Sequence, residues 1–309
     1  MILILMATYN GEKYIAAQIE SLLKQSYQDF TIYINDDCST DRTFAILQEY
    51  QKRYPEKIFI SENEQNSGNA KHNFIKMMIE KKADYVMLCD QDDVWLPDKI
   101  AVTIKRMKSA EKVYGKDMPI LVHTDLKIVN CDLHEISDSF FWTMNVDYKK
   151  TLLRQQIVQN TLTGCTAMYN LALAKLITVE PNFMVMHDWW LMLVAAAFGK
   201  IVTINKATIL YRQHGNNAVG TRNMKSLKFM LGFFMTKKKY IKRALYDSCM
   251  QAESFYCIYK KKLSKEQRRL VWRYAGIKDE NKLEKVTEIL KLGTFKNGWV
   301  RILSQLLCV

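Results

Sequence analysis

Short apolar runs alternate with helical periodicity through the first 114 residues, and this alternation limits the fold more than any other feature. Residues 2–7 are uniformly apolar, 30–34 read Phe-Thr-Ile-Tyr-Ile, 58–60 read Ile-Phe-Ile, and 85–89 read Tyr-Val-Met-Leu-Cys. Helices are expected from Glu12, over 43–53, over 70–82, and from Pro97 to about Tyr114. Ile15, Ile19, Leu22 and Leu23 carry the helical spacing of the first. Strand followed by helix at this interval predicts βαβ units, a parallel sheet and an α/β fold. Polar clusters recur where the strands end: Thr8-Tyr9-Asn10, Asp36-Asp37, Asn66-Ser67-Gly68, and Asp90 to Asp93. In an open α/β sheet such ends converge on one crevice, where ligands bind.

The fourth cluster places three carboxylates, Asp90, Asp92 and Asp93, within four residues. Like charges that close repel and raise one another's pKa unless something positive stands between them. A divalent cation, Mg²⁺ or Mn²⁺, is the expected neutraliser, because hard cations take carboxylate oxygens together with substrate phosphates. The competing reading is a solvated acidic turn that caps the helix beginning at Pro97, with Asp93 or Asp98 near the cap.

Further strands are expected at 120–125, 128–130, 161–169, 201–204 and 208–211, with a helix after 169 and an apolar helix over 191–198 that His187-Asp-Trp-Trp190 opens. Residues 132–150 read as irregular. Beyond Met224 the pattern is helical, with helices expected over 240–262, 264–275 and 279–291. The net charge of +13 is lopsided: residues 1–222 balance 25 Lys+Arg against 25 Asp+Glu, whereas 223–309 hold 20 against 7. This predicts a domain over 1–222 and a basic helical region over 223–309 that meets an acidic partner: a membrane surface, a nucleic acid or another protein. Leu227, Met230, Leu231, Phe234 and Met235 form an apolar stripe among lysines over 224–243. Such a helix suits the membrane interface, or packs as core or as an oligomer contact. A nucleic-acid partner is not expected, because the region has no Gly-rich aromatic platform, zinc spacing or helix-turn-helix signature. The seven cysteines show no paired spacing, which suggests a reducing, cytoplasmic compartment. Met1 leads into apolar residues without the basic start of a signal peptide, and no apolar run reaches the 18 residues of a spanning helix.

Several segments, taken in order, resemble family 2 glycosyltransferases. They are Ala7-Thr-Tyr-Asn-Gly-Glu12, Ser21-Leu-Leu-Lys-Gln-Ser-Tyr27, Asp36-Asp-Cys-Ser-Thr-Asp41, Asn66-Ser-Gly68 with Asn73, Asp90-Gln-Asp-Asp-Val-Trp-Leu-Pro97, His187-Asp-Trp-Trp190 and Tyr211-Arg-Gln-His214-Gly-Asn-Asn217. The resemblance covers about residues 2–222, and the Cys-Asp-Gln-Asp-Asp-Val-Trp and His-Asp-Trp-Trp segments resemble the bacterial rhamnosyltransferase-like branch. It implies the GT-A fold, a Rossmann-like, mostly parallel sheet flanked by helices, here with a C-terminal helical extension. It implies inverting transfer of a sugar, rhamnose from dTDP-rhamnose, onto a glycan or lipid-linked glycan acceptor at the inner face of the plasma membrane. A UDP-sugar galactosyl- or N-acetylhexosaminyltransferase is the alternative. Cys38 departs from the glycine usual in the family, which leaves the backbone of that loop open.

The resemblance also implies roles. Thr8, Tyr9, Asp36, Asp37, Lys71, Asp90 and Arg212 fall on the nucleotide and donor side. The Tyr9 ring suits stacking on the base, and Asp37 is favoured to accept the ring N–H of uracil or thymine. Asp92 and His214 are expected on the metal, Asp90 on ribose or metal, and Arg212 on the diphosphate. Trp95, Gly164, Trp189 and Trp190 fall on the acceptor side. Asp188 is expected as the general base, since inversion is a single displacement that needs one carboxylate to take the acceptor's proton. Plainer readings stand beside these: a strand-end aromatic for Tyr9, a solvated lysine for Lys71, a surface loop for Arg212 and His214, a helix cap for Asp188, and core packing for one of Trp189 and Trp190.

Overall fold

The computed structural model describes residues 1–214 and 238–309. They form two compact units, one of 1–140, 162–180 and 199–214, the other of 141–161, 181–198 and 238–309.

The first unit is built on one mixed sheet. Its central strand β1 (Ile2–Thr8) pairs in parallel with β2 (Phe30–Asp36) on one side and β4 (Tyr85–Cys89) on the other. The registers set Ile2 opposite Phe30 and Tyr85, and Thr8 opposite Asp36, so the polar strand ends share one edge. β3 (Ile58–Glu62) extends the parallel part beyond β2. Past β4 the order continues through β8 (Ala167–Asn170), β6 (Ile120–Val129), β9 (Lys200–Arg212) and β5 (Val94–Trp95), while β7 (Glu135–Ser137) pairs with β6. The helices α1 (Ile15–Leu23), α2 (Thr43–Arg53), α3 (Ala70–Glu80) and α4 (Lys99–Tyr114) follow β1, β2, β3 and β5. α1 shows why such segments are helical: Ile15, Ile19 and Leu22 recur at three- and four-residue spacing and all are buried in the core. Burying each is worth about 1.5–3 kcal/mol.

The differences from the sequence reading have local causes. The two strands expected at 201–204 and 208–211 are one, β9, whose exposed Asn205 and Lys206 break the apolar pattern where the register with β6 shifts. β6 likewise joins the expected 120–125 and 128–130. The strand expected over 161–169 is mostly loop, ending in a 3₁₀ turn (Gly164–Thr166) before β8. Asp98 sits at the start of α4, yet its side chain makes no capping bond and pairs instead with Lys206. The two-residue strand β5 was not foreseen. It pairs Val94 with Leu210 and Trp95 with Ile209, which sets the Asp90–Asp93 loop against the end of β9.

The second unit is helical. It holds the one-turn helices α5 (Phe140–Thr143) and α6 (Leu153–Gln156), then α8 (His187–Phe198), α9 (Lys238–Tyr259), α10 (Lys265–Gly276), α11 (Lys282–Leu292) and α12 (Trp299–Cys308); the short α7 (Leu171–Ala174) belongs to the first unit. Ser264 and Asn281 start α10 and α11 with reciprocal side-chain caps, and Gly293 ends α11 at φ +64°. Trp190 packs edge-on to Phe255 with ring centroids 5.5 Å apart. Most of the interfacial helix expected over 224–243, and Gly215-Asn-Asn217, lie outside the described residues. Among the described residues no helix is long and apolar enough to cross a membrane.

Candidate active site

The loop after β2 is held by a dense set of hydrogen bonds. Asp36 is fully buried and accepts from Thr8 Oγ1 at 2.6 Å, Ser39 N–H at 2.7 Å and Ser39 Oγ at 2.8 Å. Asp37 Oδ1 accepts from Ser67 N–H at 2.8 Å and Asn63 Nδ2 at 2.7 Å, while Oδ2 accepts from Ser67 Oγ at 2.7 Å. Asn35 and Asn73 exchange amide bonds below them. Cys38 adopts φ +60°, the left-handed conformation that glycine takes without strain, and its Sγ lies 3.1 Å from Asn63 O. The backbone left open by that residue is thus of the glycine kind.

The loop after β4 is different. Asp93 is fully buried, and its Oδ1 accepts the Arg212 backbone N–H at 3.1 Å, but Oδ2 has no donor among the described residues. Burial first, then the neighbouring Asp92 and Asp90, push its carboxyl well above the usual range. Asp90, Asp93 and Cys165 each bring a ligating atom within 4.8 Å of the others. Burial also raises the Cys165 thiol, which therefore stays protonated. Lys99, fully buried at the start of α4, places its ammonium 4.4 Å from the Trp95 ring centroid; burial brings it down to about 8, partly offset by Cys165, Cys89 and Asp93.

The end of β9 completes this corner. His214 Nε2 is 2.7 Å from Asp92 Oδ2, although the two are 122 residues apart in sequence. Arg212 donates through Nε to Asp92 O at 2.8 Å and through a terminal nitrogen to Cys131 O. Tyr14 holds both: its ring stacks on His214 at 4.9 Å and lies 4.7 Å from the Arg212 guanidinium. Gln91 clamps the β1 end, its Oε1 accepting from Tyr9 N–H and its Nε2 donating to Tyr9 O, both at 2.9 Å. Tyr14 and Gln91 were not singled out from the sequence, and Tyr14 carries no spacing that would have marked it.

The remaining expected residues are placed as follows. Tyr9 is 47% exposed at the end of β1, and Lys71 is half-buried in the first turn of α3, which Asn69 caps. Gly164 is buried beside Cys165. Trp95 and Trp190 are corrections to the acceptor side: both are buried core side chains, and neither ring presents a face to solvent. In the helical unit Trp189 is half-buried, donating from Nε1 to Gln156 O at 2.7 Å. Asp188 is in the first turn of α8, within the helix rather than at its cap position, and its Oδ1 accepts the Trp189 N–H at 2.6 Å. A carboxylate there suits the positive helix end. His187 beside it is buried and pushed down to about 3 by burial, so it is neutral.

The sequence profile of glycosyl transferase family 2 matches residues 3–176. The chain is 30% identical over 225 residues to the dTDP-rhamnosyl transferase RfbG of Shigella flexneri, a match spanning 70% of this chain and 73% of that protein. Among solved structures, S. aureus TarS 1–349 in complex with UDP-GlcNAc superposes with a TM-score of 0.53 at 18% identity, covering 93% of this chain and 81% of that one. TarS is a poly(ribitol-phosphate) β-N-acetylglucosaminyltransferase. The mannosyltransferase PcManGT of Pyrobaculum calidifontis, in complex with GDP-Man and Mn²⁺, gives 0.56 at 14% identity, covering 94% and 72%. These likenesses establish the GT-A fold.

Proposed function

The chain belongs to glycosyl transferase family 2, and from that premise we propose that it moves rhamnose from dTDP-rhamnose onto a hydroxyl of a bacterial surface-polysaccharide precursor. The observation that carries the donor site is the pairing of Asp92 with His214 beside the crowded carboxylates of Asp90 and Asp93. An oxygen-rich set with one imidazole fits a divalent cation. Asp92 and His214 would hold Mg²⁺ or Mn²⁺, with Asp90 beside them. Bound there, the cation would supply charge neutralisation for the departing diphosphate.

The chain's own groups divide the remaining work. Tyr9 offers an open ring for the base. Asp37 Oδ2 takes a single donor among the described residues, which leaves a lone pair for the ring N–H of thymine or uracil. Lys71 suits the base or a phosphate. Arg212 already spends two donor groups on Asp92 O and Cys131 O, so its part is to fix the loop and add positive charge. Asp188 is assigned the acceptor's proton, with Trp189 and Gly164 on the acceptor side. The transferase is assigned to 1–222. The basic 223–309 is assigned to contact with a membrane, where a lipid-linked acceptor would be presented on the cytoplasmic side, or with another subunit.

A donor panel tests the reading. Purified protein with Mn²⁺ is screened against dTDP-, UDP- and GDP-sugars for hydrolysis and thermal protection. Preference for dTDP-rhamnose is expected, whereas protection by UDP-sugars alone would move the assignment to a galactosyl- or N-acetylhexosaminyltransferase. Asp188→Asn should keep donor affinity and lose about 10²–10⁴ in transfer rate. Turnover near that of the wild type would place the base elsewhere.

A further inference from the structure

Helix α12 is turned inside out. Its buried positions are Ser304, Gln305 and Cys308, while Trp299, Leu303 and Leu307, four residues apart on one face, are 69%, 43% and 53% exposed. The inward orientation is fixed by polar bonds. Gln305 donates to Thr294 O at 2.9 Å and accepts from Lys296 N–H at 3.0 Å. Arg301 donates to Met144 O at 2.7 Å. These bonds hold the helix so that its apolar stripe faces outward, where water forfeits the gain of burying it.

Beside the end of this helix is a cationic cavity of about 740 Å³. Lys239, Lys242 and Arg243, on one face of α9, line it with Tyr246, Lys285 of α11 and Val309, two residues beyond the last of the stripe. Arg243 pairs with Asp247 at 2.9 Å. Lys239, Lys242 and Lys285 make no salt bridge among the described residues.

We propose that this cavity takes the phosphate headgroup of an anionic lipid while the α12 stripe lies in the interface of the same bilayer. This deepens the membrane contact proposed above and joins cations at the end of the 224–243 segment to a second apolar stripe on α12. A short amphipathic helix flanked by cations binds anionic surfaces in this way, its apolar face at the acyl boundary. Charge decides between a bilayer and a second copy of the chain. A two-fold interface sets the same patch against itself. In a region with 20 Lys+Arg to 7 Asp+Glu that would bring unpaired lysines together.

The test is flotation of the full chain with vesicles of phosphatidylcholine alone or with added phosphatidylglycerol, at low and high salt. The wild type should partition at least about tenfold more onto the anionic vesicles, a preference lost at high salt. Lys242→Glu with Lys285→Glu should abolish that preference. Leu303→Ser with Leu307→Ser should weaken binding to both compositions, with circular dichroism unchanged. Equal partition of the wild type onto both vesicles, or a preference that survives the lysine changes, overturns the site. A stripe variant that floats normally but turns a dimer into a monomer assigns the face to a second copy instead. Inorganic phosphate without vesicles should leave the melting temperature unchanged; a shift that needs Lys242 and Lys285 would assign the cavity to free phosphate and overturn the lipid. Donor hydrolysis without vesicles reads the transferase separately, so lost flotation with intact hydrolysis removes this site alone.

Discussion

Two acid-bearing loops flank β1, one after β2 and one after β4, and they treat their carboxylates in opposite ways. Asp36 and Asp37 share six hydrogen-bond donors, all from uncharged groups. Such carboxylates are comfortable without a counter-ion and hold one geometry. After β4 Asp93 has a backbone N–H on one oxygen and the Cys165 thiol close by, with Asp90 and Asp92 crowding it and His214 against Asp92. The first loop is finished by the protein, as a surface that reads a ligand's shape should be. The second crowds three carboxylates together, and a cation bound there would neutralise them. Neighbouring strand ends of one sheet thus differ in how fully the protein itself satisfies their carboxylates.

The largest expected effect falls on the second loop. Asp92→Asn should abolish the protection by nucleoside diphosphate that depends on Mg²⁺ or Mn²⁺. The loss in metal affinity should exceed the roughly 10–100-fold typical of removing a partner behind a ligand. Thermal shift with and without EDTA measures it, and equal wild-type protection in EDTA would erase the contrast between the loops. Next comes Asp37→Asn. It puts an amide where both oxygens accept, opposes one donor with another, and should cost about 1–3 kcal/mol. Asp93→Asn sharpens the comparison because the same exchange should do little there. The amide still accepts from Arg212 N–H and removes a carboxyl that burial and two like charges disfavour, so melting should stay within about 1 kcal/mol of the wild type. If Asp93→Asn proves as costly as Asp37→Asn, the two loops are alike after all. The smallest effect is Cys38→Gly, which relieves a left-handed residue in the finished loop. It should stabilise by about 1 kcal/mol, seen as a melting rise of about 2–4 °C.

The parallel half of the sheet was legible in the sequence because its strands are buried runs with helical periods between them. Tyr85–Cys89 and Thr43–Arg53 were placed to the residue. The mixed part was less legible, since β5 is two residues long and β9 carries exposed residues at its bend. Helix α12 was missed for a related reason: periodicity marks a helix by the apolar face it buries, and this one buries the other. The acids of the site could be read from their crowding at strand ends. Which of them lacks donors could not, because the donors come from Ser67, Asn63 and Arg212, distant in sequence. Tryptophan in a motif was also ambiguous, for the rings of Trp95 and Trp190 serve the core.

Gly11 and Gln91 carry one more consequence. A Cβ on Gly11 would lie 2.4 Å from Gln91 Oε1, and only a side-chain amide offers both the acceptor and the donor that the Tyr9 peptide uses. Each position constrains the other: a side chain at 11 must push the Gln91 amide off the Tyr9 peptide, and a glutamate at 91 sets a carboxylate against Tyr9 O. Among descendants of this chain the two should therefore drift together, so that their substitutions are inherited as a pair although positions 11 and 91 lie far apart in sequence.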